Sequence, residues 1–223
     1  MASQKYQTRT WHVYHDIVRL ISTGEIKAGV RLDEQQIADA LGVSRTPLRE
    51  AITRLVQDGL VENRPYRGNF VRSFTAKEVF DLYEVRKGLE SMAVRVAMPH
   101  LTEESVAHLR TILGEIDTAL QSGDLEAYGL ADQQFHDAIA QLSGNTTLIT
   151  ILDQLRGQIQ LIRTMANQNP DVVGITAMER PEIVDAMANG EVDRAAHLME
   201  EHIELVQRYT TLRFDPVAAS TAD

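Results

Sequence analysis

Cysteine is absent from this chain of 223 residues, which excludes disulfide scaffolds, thiol nucleophiles, sulfur-ligated zinc fingers and iron–sulfur clusters. Any metal ion must therefore be held by His, Asp, Glu or water. Long apolar runs are missing too. Nothing approaches the roughly 18 consecutive apolar residues of a membrane span, and the opening MASQKYQTRTW has no hydrophobic segment of a secretory signal. A cytoplasmic protein without a membrane partner is expected. Aromatic residues are scarce, at 5%, which disfavours a large flat ligand in the interior. Neither an internal repeat nor a low-complexity tract is present. What remains is 43% hydrophobic and 24% charged, enough for one large domain or two small ones with real cores.

The net charge of −10 argues against a nucleic-acid partner when taken whole, but its distribution is uneven. Residues 1–74 hold 11 Lys and Arg against 8 Asp and Glu; residues 75–223 hold 11 against 24. Only the first part could approach a polyanion.

That first part reads as three helices and two short strands. Apolar residues Val13, Ile17, Leu20 and Ile21 recur at helical spacing over Trp11 to Ser22 and stop at Thr23-Gly24. Asp33 is placed to cap a second helix with Ile37, Ala40 and Leu41 on one face, ending at Gly42. Ser44 is placed to cap a third, with Pro47 in its first turn and Leu48, Ala51, Ile52, Leu55 and Val56 as its buried stripe. Leu60–Asn63 and Asn69–Arg72, around Pro65-Tyr66-Arg67-Gly68, read as a hairpin. The sum is a winged helix-turn-helix.

From Thr75 onward only helical periods appear: 76–98, 102–121, 125–142, 146–169, 179–187 and 192–212, with breaks at Pro99, Ser122-Gly123, Ser143-Gly144-Asn145, Pro170 and Asn189-Gly190, and a frayed tail after Phe214. Six such helices form an antiparallel bundle. The expected fold is thus mainly α: a DNA-binding winged helix-turn-helix over 1–74, then an all-α bundle over 75–223.

A helix-turn-helix lays the N-terminus of its second helix against base edges and phosphates. Those residues are Ser44, Arg45, Thr46 and Arg49; the two arginines share one face opposite the apolar stripe, and otherwise simply pair with Glu50 or solvate a surface. Arg67 and Gly68 at the wing tip can enter the adjacent minor groove.

The segment DEQQIADALGVSRTPLREAITRLVQDGLVENRPYRGNFVR resembles the winged helix-turn-helix of the GntR family of bacterial transcription regulators, whose GVSRTPLREAL-type core stands here as GVSRTPLREAI. The resemblance implies operator contacts for Arg45, Thr46, Arg49 and Gly68. Gln35 departs from it, standing where some members carry a phosphate-touching arginine.

In the bundle, the informative residues are polar ones on apolar faces. Asp132 and His136 are four apart, and His202 lies among Leu198, Met199, Leu205 and Val206. Each is either a hydrogen-bonded core residue or part of a metal-ligand set. Arg86 occupies the stripe of Val79, Leu82, Leu89 and Ala93, and its charge requires an anion: Glu90 one turn on, or a carboxylate ligand. Arg163, between Ile159 and Ala166, is similar.

The bundle resembles the FCD effector domain of FadR-type GntR regulators, through LYEVRKGLESMAVRVA, DQQFHDAIAQLSGN and EVDRAAHLMEEHI. That likeness implies a divalent cation (zinc, nickel or manganese) on Asp132, His136 and His202. A fourth ligand, a His after a Glu near the start of the penultimate helix, is replaced: Glu179 is followed by Arg180. Either three ligands suffice, or Arg180 supplies the positive charge directly to an anion. Arg86, Arg163, Arg180 and Asn145 are the effector-binding candidates. The expected protein is a homodimeric regulator, a repressor by family habit, reading a palindromic operator and responding to an organic, sugar or aromatic acid. A metal-responsive regulator and a helical metalloenzyme fused to a DNA-binding segment are the competing readings.

Overall fold

A computed structural model describes residues 2–166 and 170–213. Its chain divides into two compact units, Met1–Phe74 with Gln154–Ile162, and Thr75–Asp153 with Arg163–Asp223.

The first unit is built on α1 (Ala2–Ser22), α2 (Glu34–Leu41) and α3 (Arg45–Gln57), followed by β1 (Val61–Arg64) and β2 (Gly68–Val71). Asp33 accepts from the Gln36 amide at the start of α2, and Gly42 closes that helix in the left-handed region. Pro47 sits in the first turn of α3, where its missing N–H costs little, and Leu48, Ala51, Ile52 and Leu55 are buried as the spacing requires. Leu48, Ile52 and Leu55 each contribute about 1.5–3 kcal/mol of burial. Val13, Ile17 and Ile21 of α1 pack onto α3 and complete this core. The strands pair antiparallel with Val61 opposite Val71 and Arg64 opposite Gly68, and Arg31 makes a further bridge to Phe70. Both strands are displaced by a residue or so from the expected ranges. α1 extends nine residues further back than its apolar pattern, since its N-terminal turns lack apolar spacing.

The second unit holds α4 (Ala76–Ala97), a short 3-10 turn at Met98–His100, α5 (Glu103–Ser122), α6 (Leu125–Leu142), the ends of α7 (Thr146–Ala166), α8 (Pro170–Ala188) and α9 (Val192–Arg213). Thr75 with Glu78 and Thr102 with Ser105 form capping boxes, and Asp124 accepts from two amides of α6. α4 packs along α9 and α6, α5 along α6 and α8, and α8 along α9. Tyr83, Tyr128, Phe135, Ile139, Ile183, Met199 and Ile203 are buried between them.

The main correction concerns α8. It begins at Pro170, not at Glu179, and runs through Pro181. Gly174 and Pro181 lower its propensity and blur its period, yet burial of Val173, Thr176, Arg180, Ile183 and Val184 holds it helical. Pro170 therefore opens a helix. The expected end of α7 at Asn169 and the frayed tail after Phe214 lie outside the described residues.

Two positions carry local constraints. Tyr66, at the wing tip, has φ 62, a left-handed conformation costing about 1–2 kcal/mol for a residue with a Cβ, while its ring is fully exposed. Within the first unit, a Cβ at Gly157 would lie 2.4 Å from Asp58 Cβ and 3.0 Å from the Asp58 carbonyl oxygen. Asp58 is not free to yield, because Tyr14 donates its phenol to the Asp58 carboxylate at 2.7 Å.

Gly157→Ala is therefore expected to destabilise the protein by about 1–3 kcal/mol through overpacking, although alanine is the better helix former; urea unfolding measures it. Tyr66→Asn, which accepts the left-handed region, should raise the stability of the first unit by about 1 kcal/mol, read as a higher melting temperature.

Candidate functional site

The exposed edge of the first unit gathers most of the expected DNA-reading residues. Ser44 occupies the N-cap position of α3 with extended backbone, but its side chain makes no capping hydrogen bond. The expected cap bond is thus replaced by an exposed hydroxyl. Arg45, Thr46 and Arg49 are exposed on the first turns. Neither arginine pairs with Glu50, which accepts instead from Thr10. Arg45 Nη2 donates to Gln35 Oε1 at 2.6 Å, and Gln35 is steadied by Asp39 at 2.9 Å. Arg49 Nε donates to Glu34 Oε2 at 3.1 Å, while the other Glu34 oxygen accepts from Asn69 of β2 at 3.5 Å. Such exposed pairs are worth under about 1 kcal/mol and exchange readily for phosphates.

The wing completes this edge. Gly68 has φ +98, and a Cβ there would lie 2.9 Å from Arg31 Nε; both the backbone and the packed guanidinium require glycine. Arg31, Glu34, Gln35, Arg45, Arg49 and Gly68 border a cleft of about 570 Å³. Arg67 is exposed beside Tyr66. Sequence reasoning missed Arg31, Glu34 and Tyr66, and it placed Gln35 only by what it is not.

The interior of the second unit holds a continuous polar cluster. Asp132 of α6 is 1% exposed and lies between two guanidiniums: Arg163 Nη1 of α7 donates to Oδ2 at 2.7 Å, and Arg180 Nη2 of α8 donates to Oδ1. Arg180 also reaches Tyr128 Oη at 3.0 Å and the Thr176 carbonyl at 2.8 Å. Burial alone would raise the Asp132 carboxyl, but Arg180 and Arg163 outweigh it and hold the group well below its ordinary range.

On the α4 side, Arg86 Nε donates to Glu90 Oε1 at 2.6 Å, and the second Glu90 oxygen meets His136 Nδ1. Arg86 Nη2 lies 3.1 Å from His136 Nε2. A guanidinium only donates, so Nε2 is the acceptor and the ring proton sits on Nδ1, facing Glu90. Burial works against the Glu90 carboxylate, and Arg86 with His136 overrides it and lowers its pKa. His202 Nδ1 lies 2.9 Å from Glu179 Oε2, and its ring stacks on His136 at 5.4 Å. Burial first, then Arg180 and His136, push the His202 pKa well down, so its ring is neutral.

The comparisons with known proteins match this architecture. Residues 9–71 match the bacterial regulatory proteins of the gntR family, and residues 81–205 match the FCD domain. The chain belongs to the GntR family. It is similar to the Nta operon transcriptional regulator of Aminobacter aminovorans, 33% identical over 80% of this chain and 83% of the other, and to the HTH-type transcriptional repressor RspR of Escherichia coli (strain K12), 23% identical over 86% and 84%. The crystal structure of a GntR transcriptional regulator from Rhodococcus sp. RHA1 superposes with a TM-score of 0.72 at 28% identity, covering 91% of this chain and 97% of the other. This GntR protein is a transcriptional regulator. Its helix-turn-helix implies DNA and its FCD domain a small-molecule effector. Among the described residues no helix is long and apolar enough to cross a membrane.

The metal-ligand candidates of this FCD domain do converge: Asp132, His136 and His202 each offer an atom within 4.8 Å of the others. The donor atoms of Asp132 and His136, however, are engaged. Both Asp132 oxygens face guanidiniums, and the His136 acceptor nitrogen faces Arg86. As arranged, these residues do not fit a divalent ion. Of the four effector candidates, Arg86, Arg163 and Arg180 lie in this cluster, Arg86 already paired with Glu90. Asn145 does not join it. Its Oδ1 caps α7 by accepting from the Leu148 amide at 3.1 Å, and the 18 residues separating it from Arg163 along α7 amount to about 27 Å.

Asp132→Ala leaves two buried guanidiniums without their counter-charge and should cost about 3–5 kcal/mol, measured by urea unfolding. Because the Asp132 and Glu90 pKa values are depressed on folding, their stabilisation is complete above the unfolded carboxyl values of about 4 and is lost as pH falls through the folded ones. Acid unfolding should accordingly be less steep in Glu90→Gln than in the wild type, as followed by circular dichroism from neutral pH to pH of about 2.

Proposed function

We propose that this GntR protein is a cytoplasmic homodimeric repressor that binds a palindromic operator and is released by a small carboxylate-bearing metabolite. Residues 1–74 form the DNA-binding part and residues 75–223 the effector-binding and dimerising part. Ser44, Arg45, Thr46 and Arg49 enter the major groove, and Arg67 with Gly68 follow the neighbouring minor groove. The observation that carries this reading is the pair of exposed arginines on the first turns of α3, held by Gln35 and Glu34 of α2. A twofold dimer reads a twofold site, which supports the palindrome, and the similarity to RspR supports repression.

Release is assigned to Arg163 and Arg180, whose Nε atoms are buried and make no hydrogen bond among the described residues. A ligand carboxylate gains a charge-assisted hydrogen bond from the Nε of either. The effector class is an organic, sugar or aromatic acid. The convergence of Asp132, His136 and His202 favours a second reading, a metal-responsive regulator, in which zinc, nickel or manganese must first displace Arg180.

Selection of bound DNA from random duplexes, followed by gel-shift titration, tests the operator reading. A recovered palindrome bound by a dimer is expected, and sequence-independent binding would overturn it. Arg45→Ala should weaken the selected site roughly 10- to 100-fold, as for one lost bidentate contact, while Arg67→Ala should weaken all sequences alike and reduce the salt slope by about one. Adding organic acids or each metal to the complex separates the two effector readings.

A further inference from the structure

We infer that Arg180 takes the place of a divalent cation in the buried cluster, so that this effector domain works without metal. The geometry argues this from three sides.

Charge is the first. A cation bound by Asp132, His136 and His202 would need Asp132 Oδ1 within about 2.0–2.2 Å, the oxygen on which Arg180 Nη2 already rests. Arg163 holds the other oxygen at 2.7 Å. Two fixed positive charges thus stand where the ion would have to enter, and neither can be neutralised, because a guanidinium does not deprotonate in a protein.

Anchoring is the second. Arg180 is 2% exposed and cannot swing aside without loss. Its Nη1 donates to the Thr176 carbonyl at 2.8 Å, and its Nη2 to Tyr128 Oη at 3.0 Å. Tyr128 in turn contacts Thr176 Oγ1 at 3.2 Å. Displacing the guanidinium would take from the buried Asp132 carboxylate one of its two counter-charges and from the Tyr128 phenol its charged donor.

Length is the third. The arginine spans directly from α8 to the Asp132 carboxylate on α6. An imidazole on the same Cα is shorter and would need a bridging ion, bonded at about 2 Å, to reach the same carboxylate. The guanidinium therefore fills the space that a histidine and an ion would fill together, and supplies positive charge to Asp132 in the ion's stead.

The full-length untagged protein, purified without chelator and dialysed against zinc, nickel or manganese, tests this by metal content and thermal unfolding. The wild type is expected to hold no stoichiometric metal and to melt at the same temperature with or without it. Arg180→His is expected to take up about one zinc or nickel per chain and, with metal a hundredfold above its dissociation constant, to melt about 5 °C or more higher. Arg180→Cys, which introduces the one cysteine of the chain, covers the case in which the histidine variant does not fold: cobalt should then give a thiolate absorption band. A wild type carrying close to one ion per chain would overturn the inference, as would a folded Arg180→His or Arg180→Cys that gains none. These readouts involve no DNA, so a failed operator experiment and a failed metal experiment are distinguishable.

Discussion

The Asp132 carboxylate, closed between Arg163 and Arg180, is the interaction on which the helical unit depends. It joins α6, α7 and α8 at one buried point. Removing three charges from water is costly, and in isolation such a set can be less stabilising than apolar side chains of equal volume. Its effect here is specificity of arrangement. Only one placement of the three helices brings both guanidiniums to the two carboxylate oxygens. The link from His136 to Glu90 and Arg86 then ties α4 into the same network.

The same logic, at lower stakes, shapes the first unit. Gln35 and Glu34 at the start of α2 hold the side chains of Arg45 and Arg49 on α3, so the two helices of the motif are joined by their functional residues as well as by Ile37, Leu48 and Ile52. Gln35, at the position that departs from the family pattern, accepts from Arg45 and donates to Asp39.

Much of this was legible in the sequence, and the exceptions have physical causes. Periodicity and caps located α2, α3 and α6 closely, since local signals and burial agree there. They shortened α8, where Gly174 and Pro181 speak against a helix that tertiary burial maintains. Polar residues on apolar faces revealed Asp132, His136, His202, Arg86 and Arg163, because a buried charge breaks an apolar stripe whatever its partner; Arg180 came into view only through the family resemblance. Which of them pair could not be read from spacing: the bond from Arg180 to Asp132 crosses 48 positions. The capping role of Asn145 on α7 is not legible from spacing alone, since a break such as Ser143-Gly144-Asn145 marks a helix boundary without saying which side chain turns back onto the next amides. Arg31 and Tyr66 carried no signal, because close approach to Gly68 and a left-handed backbone are properties of the folded wing.

Glu34 has a consequence for how fast such a surface engages its target. Its two oxygens serve Arg49 on the recognition helix and Asn69 on the wing. In the free protein Arg49 is drawn toward this carboxylate, so a phosphate arriving there exchanges one acceptor for another. A phosphate arriving at Arg49 also frees Glu34 from its charge partner and leaves its carboxylate to repel the backbone on any misplaced register. One acidic side chain thus favours rapid capture and, on the wrong phasing, rapid departure.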